Sequence, residues 1–390
     1  MIECRKYLLH TKRDDVAMSV NALKTNKTLN SIQAMRGIAA VLVMLFHFQW
    51  FFNFDSINIG TLLFSNGRIG VPVFFVISGF IMAYTTRRYG ASEVARFVIK
   101  RLARVYPLYL IATLSFVALL NTTLPDATDI NNINDLLRSL TFYPLRNNDA
   151  PYFGWATLPV GWTLNYEMFF YLVLAFSLFF GRLCWIVLGV VLSATLVAMP
   201  LLSAGFWSYI PEVNYNFTFA YLSMISNPIM LNFTAGVLCG LLLKQRTINI
   251  SKKMSIALIT ISVSLYIYQY IANINPGWGF SQWGIGAAII ILLVVNHEHR
   301  FGLRVNKVLI YLGEISFSIY LNHIVMKEFL HMLGKYTKFD FLISGPICGA
   351  IIICLTLFVS GYTRKYIELG VPSAISGVFE RLKMLAVKSA

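Results

Sequence analysis

Long apolar runs alternate along this chain with short polar clusters, most of them basic. A helix needs about 20 mostly apolar residues to cross a bilayer. By that measure candidate spans lie near 37–54, 69–86, 105–120, 162–180, 184–201, 218–243, 254–272, 280–296, 309–332 and 341–363. The pattern predicts an all-α fold, a polytopic transmembrane helix bundle of about ten spans. The third run is short. The fourth and fifth are separated by little more than Gly181 and Arg182, which predicts a tight helical hairpin.

Charge supplies the orientation. Short loops on the cytoplasmic side of a membrane protein carry the excess of Lys and Arg. With the N-terminus inside, the cytoplasmic segments are 1–36, 87–104, 181–183, 244–253, 297–308 and 364–390, and they hold 26 of the 32 Lys and Arg. The long segment 121–161 then lies outside, with four Asp and only Arg138 and Arg146 as basic residues. Shifting the count by one helix destroys this alternation, so both termini are expected in the cytoplasm.

Composition agrees with a bilayer as the solvent. Hydrophobic residues make up 57% of the 390 and charged residues 13%, against about 25% charged in an ordinary soluble domain. The net charge of +15 suggests nucleic-acid binding only when the basic residues share one face. Here they are dispersed between apolar runs, so no nucleic-acid partner is expected. The five cysteines are scattered without CxxC or Cys/His spacing, and neither a disulfide framework nor a metal site is expected. The first apolar run begins after about thirty polar residues, too late for a cleaved signal peptide. Three segments are thus expected: a polar cytoplasmic tail at 1–30, a membrane domain at 31–370, and a cytoplasmic tail at 371–390. In that last segment Val378, Phe379, Leu382 and Leu385 recur at helical spacing, which fits a short interfacial helix or a frayed tail.

Ionisable residues within spans are costly and therefore point to function. Arg36 and His47 stand eleven residues apart in the first span, about 20° apart on a helix and about 16 Å along its axis. His47 falls near mid-membrane, where an imidazole can serve as a general base or as a structural hydrogen-bonding group. Arg101 and Arg104, at the entry of the third span, offer two guanidinium forks suited to a polyphosphate. Arg87 and Arg88 in the same cluster read as ordinary cytoplasmic charge. Glu167 lies about 8 Å into the fourth span from Trp162, where it can orient an acceptor or polarise His47. Trp162 and Tyr166 can stack on a sugar ring or act as interfacial aromatics. His323, in the ninth span, is a second proton carrier, an acceptor contact or a structural histidine. Ser78 reads as a small packing residue.

Five segments in order carry a family resemblance: IQAMRGIAAVLVMLFHF with its Arg-x10-His pattern, GVPVFFVISGF, the Arg-x-x-Arg of Arg101 and Arg104, WTLNYEMFFYL and ISFSIYLNH. Together they resemble the acyltransferase-3 family, bacterial membrane proteins that transfer acyl groups to sugars of surface polysaccharides and related acceptors. The YIELGVP segment departs from the family's I-E-x-P ending, keeping Glu368 but displacing the proline to Pro372. The resemblance implies acyl-CoA, most often acetyl-CoA, as donor substrate with no bound cofactor. Arg36, Arg101 and Arg104 would hold its phosphates. A glycan or glycolipid acceptor would meet Trp162, Tyr166 and His323, and His47 with Glu167 would carry the chemistry by direct transfer or through an acyl-histidine. The setting would be the bacterial inner membrane. The competing readings are acyl transfer to a small molecule and a non-catalytic polysaccharide transporter or export component.

Overall fold

The computed structural model describes residues 29–53, 58–123, 131–337 and 345–374. Among the described residues every regular element is helical. The ten principal helices are α1 (Asn30–Phe48), α2 (Gly70–Thr85), α3 (Ala91–Thr123), α4 (Trp162–Leu178), α5 (Cys184–Ser193), α6 (Leu231–Gln245), α7 (Lys252–Ile271), α8 (Ile285–Phe301), α9 (Ser316–Thr337) and α10 (Gly345–Thr363). Each overlaps one predicted span. With their flanking turns, eight of them are long and apolar enough to cross a membrane, and α9 makes a ninth together with the helix before it. The remaining helix, α4, has 17 residues, about 26 Å of rise.

Two spans differ from expectation. The third is not short: α3 runs unbroken for 33 residues through Pro107, and Arg101 and Arg104 lie within this continuous helix, as their place at the entry of the span requires. Long arginine side chains let a helix carry charge at its entry, because the stem packs while the head reaches polar surroundings. The ninth predicted span is two helices, Lys307–Glu314 and Ser316–Thr337, meeting at 68°. The polar stretch beginning at Glu314 and Ser316 interrupts the apolar pattern there. The possible interfacial helix at 378–385 lies outside the described residues.

Helix approach is set by small residues, as expected where lipid is as apolar as the helix surface. A Cβ on Gly79 of α2 would stand 2.1 Å from the Phe233 carbonyl oxygen of α6. On α6 the reciprocal Gly236 and Gly240 would meet the carbonyl oxygens of Val76 and Phe80 at 2.0 and 2.6 Å. These glycines lock α2 backbone to backbone against α6. The start of α1 is held from another helix: Glu298 on α8 accepts the backbone N–H groups of Asn30 and Ser31 at 3.0 and 3.1 Å. A carboxylate there satisfies orphan donors and complements the helix dipole. Arg36 and His47 project from an axis fixed in this way.

Candidate active site

The polar residues of the spans converge on a cavity of about 770 Å³, open mouth included, bordered by α1, α2, α3, α4 and α9. Arg36, Arg101, Arg104, Glu167, Ser78 and Tyr171 all line it. The three predicted arginines thus come from two helices distant in sequence to one space. Arg101 stacks over the Phe97 and Tyr171 rings, with its guanidinium carbon 5.5 and 5.6 Å from their centroids. Its buried Nε makes no hydrogen bond among the described residues.

Glu167 accepts a hydrogen bond from the Ser78 hydroxyl at 3.1 Å and a second, short one from the Tyr171 hydroxyl. The partner that the sequence did not show for Ser78 is therefore Glu167, one helix away. The packing role expected of Ser78 passes to its neighbour Gly79.

Glu368 was legible only as the remnant of a loosely matching motif, and it is central. Its side chain is fully buried, 2.9 Å from Arg364 and 3.8 Å from the Nε of Arg104. The Ser318 hydroxyl donates to its second oxygen at 3.1 Å. A buried carboxylate is tolerable only when paired and hydrogen-bonded, and here it holds Arg104 in place from behind. No spacing rule links positions 104 and 368, and only packing brings them together.

A wide basic groove of about 1010 Å³ adjoins this cavity through Arg101. It is lined by Arg87, Arg88, Arg96 and Lys100, with Glu93 pairing Arg96 at 2.8 Å. Arg87 and Arg88, read from sequence as undifferentiated cytoplasmic charge, face a defined concavity.

His47 opens onto a different space. A second cavity, about 440 Å³, is lined by His47, Arg68, Tyr152, Trp155, Trp162 and Trp278, among others. Val71 and Tyr320 line both cavities and form the wall between them. Tyr320 is anchored by hydrogen bonds with the Thr163 hydroxyl at 2.7 Å and the Val160 carbonyl at 3.1 Å. Tyr152 stacks on Trp155 with centroids 3.8 Å apart, and Trp162 meets Trp278 edge to face at 5.3 Å. The Trp278 indole donates to the Tyr152 hydroxyl at 3.1 Å. Burial pushes the Tyr152 phenol pKa up, against the opposing pull of that hydrogen bond and of the Arg68 charge.

The remaining candidates stand behind these surfaces. Tyr166 is fully buried, donates to the Pro151 carbonyl at 2.7 Å and packs edge to face on Trp162. It lines neither cavity. His323 is also fully buried, with its ring centroid 5.0 Å from that of His47. Its Nδ1–H donates to the Ile319 carbonyl at 3.0 Å, which leaves Nε2 as a lone-pair nitrogen without a partner among the described residues. Glu167 lines the arginine cavity and not the aromatic one. Arg68 went unnoticed in the sequence because it sits in a polar break before the second apolar run.

Residues 29–364 match the profile of the acyltransferase-3 family, described as an acyltransferase domain. The exopolysaccharide production protein ExoZ of Rhizobium meliloti (strain 1021) is 30% identical over 301 residues, covering 73% of this chain and 87% of its own. Acyltransferase MdmB of Streptomyces mycarofaciens is 28% identical, covering 78% and 80% respectively. A putative membrane-bound transacylase, BcsY of Komagataeibacter xylinus, is 26% identical, covering 75% and 71%. No solved structure matches the chain significantly. A match over residues 29–364, most of the chain, leads to one conclusion: this multi-pass membrane protein belongs to the acyltransferase-3 family.

Proposed function

We propose that the protein moves an acyl group, most simply acetyl, from cytoplasmic acyl-CoA to a hydroxyl of a cell-surface or lipid-linked glycan. The carrying observation is the pair of cavities that share the Val71 and Tyr320 wall, arginine-rich on one side and aromatic with His47 on the other. Such an arrangement suits two substrates of opposite character that arrive from opposite faces. The donor enters by the groove of Arg87, Arg88 and Lys100. Arg101, Arg104 and Arg36 hold its phosphates, and the pantetheine arm extends inward from them. Aromatic faces at Trp155, Trp162 and Trp278 receive the sugar.

The chemistry is proton transfer coupled to acyl transfer. His47 takes the proton of the acceptor hydroxyl, and the oxygen attacks the thioester carbonyl. The tetrahedral intermediate collapses with loss of the CoA thiolate, which recovers the proton from His47. His323 acts on the imidazole through its fixed tautomer, and Glu167 orders the donor side with Ser78 and Tyr171. One relative is named for exopolysaccharide production, which supports a glycan acceptor. The loop charges support an arginine cavity that faces the cytoplasm, and the family supports the bacterial inner membrane as its setting.

The test is His47→Asn, which keeps size and hydrogen bonding but cannot accept the proton at neutral pH. At matched membrane abundance, transfer of label from acetyl-CoA should fall by about 10²–10⁴-fold, the usual contribution of a positioned base. An abundant variant that acylates at the wild-type rate rules the mechanism out.

A further inference from the structure

Arg68 lies on the single turn Gly67–Ile69 that leads into α2. The glycines on either side of it press this turn against α1: a Cβ on Gly67 would stand 2.2 Å from the Leu42 carbonyl oxygen, and one on Gly70 2.4 Å from that of Ala39. Arg68 is thereby carried into the cavity that His47 lines. Its guanidinium carbon lies 5.8 and 5.7 Å from the ring centroids of Trp278 and Trp283. Among the described residues no carboxylate comes within ion-pair distance of it, and its buried Nε makes no hydrogen bond. Asp149 and Glu212 act electrostatically at the neighbouring Tyr152 hydroxyl, and neither pairs with Arg68.

A cation held on indole faces within a membrane protein is costly to keep unpaired. Stacking on tryptophan offsets part of that cost and leaves the fork of N–H donors for a planar anion. We infer that the aromatic cavity selects an acceptor sugar bearing a carboxylate, such as a uronic acid, which Arg68 binds while the sugar stacks on Trp155 or Trp162. A carboxylate fits better than a phosphate. The cavity contributes one fixed cation, Arg68, beside His47, which matches a monoanion, whereas a phosphomonoester would call for a second cation.

This inference rests on the aromatic cavity being the acceptor site, so the test measures binding without any acyl donor. Purified full-length protein in lipid nanodiscs is titrated with p-nitrophenyl β-D-glucuronide and with p-nitrophenyl β-D-glucoside. Quenching of tryptophan emission reports occupancy, since three indoles line the cavity. The glucuronide should bind about tenfold tighter, the lower value for one charge-assisted contact. Arg68→Gln should bring the two affinities within about twofold while leaving the glucoside nearly unchanged. Arg68→Lys, which keeps charge without the fork, should retain only part of the preference. Equal wild-type affinities overturn the inference, and that comparison needs no variant. A preference that survives in Arg68→Gln also overturns it, because the anion would then be held elsewhere, for example in the basic groove. Displacement by glucose 1-phosphate at lower concentration than by glucuronate overturns the choice of carboxylate. Acyl transfer by the same preparation is assayed separately, so a failed preference and a failed acyltransferase reading are told apart.

Discussion

At the residue scale, the charges in and behind the arginine cavity depend on specific neighbours. Arg101 is pre-oriented by the Phe97 and Tyr171 rings, so it can present its fork without first losing rotamer freedom. Arg101→Ala should weaken acyl-CoA binding by about 1.5–3 kcal/mol, the value of a charge-assisted contact, as read by calorimetry on purified protein. Arg101→Lys should restore only part of this, because an ammonium neither forks nor stacks in the same way. Unchanged donor affinity in both variants removes Arg101 from the site. Glu368 makes a different prediction. Removing one member of a buried ion pair leaves the other uncompensated. Glu368→Ala should cost about 3 kcal/mol, the low end for such pairs because Arg104 and Arg364 keep partial access to water. Thermal unfolding of the purified variant checks this, and an unchanged midpoint means that the pair contributes nothing.

At the scale of elements, function depends on how closely helices approach. The α2–α6 contact has carbonyl oxygens where side chains would stand on Gly79, Gly236 and Gly240. It positions Ser78 against Glu167 and holds the wall residue Val71 on the same helix. Gly236→Leu must push α6 away from α2 and should destabilise the protein by at least the roughly 1–3 kcal/mol typical of overpacking. Gly189→Leu is the control, because nothing lies within 4 Å of a Cβ there. Loss of the monodisperse species on size exclusion for Gly236→Leu but not Gly189→Leu is the expected result. Equal behaviour of the two would show that close packing at α2 is dispensable. The 68° bend between Glu314 and Ser316 has a related consequence. It turns α9 so that Phe317 and Tyr320 reach the arginine cavity, a placement that one straight span would not predict.

At the scale of the whole molecule, orientation can be tested without reference to chemistry. Reporter fusions should place 121–161 outside and 244–253 inside, as the alternation of loop charge requires. The same reporter side for both would refute the ten-span topology. Much of this level was legible in the linear pattern. The number and rough position of the helices follow from the length of apolar runs, because a bilayer imposes one helix length on any sequence. The family followed from five short segments, and the grouping of Arg36 with Arg101 and Arg104 from that resemblance. Side-chain partnership was not legible. That Ser78 donates to Glu167 and that Glu368 secures Arg104 depend on contacts between distant helices, and Arg68 enters the His47 cavity through the packing of its turn against α1. A run of apolar residues specifies that a helix spans the membrane and leaves open which of its faces meets which neighbour. The glycine contacts and the broken ninth helix decide that, and with it the division into two cavities that places the arginines on one side of Tyr320 and His47 on the other.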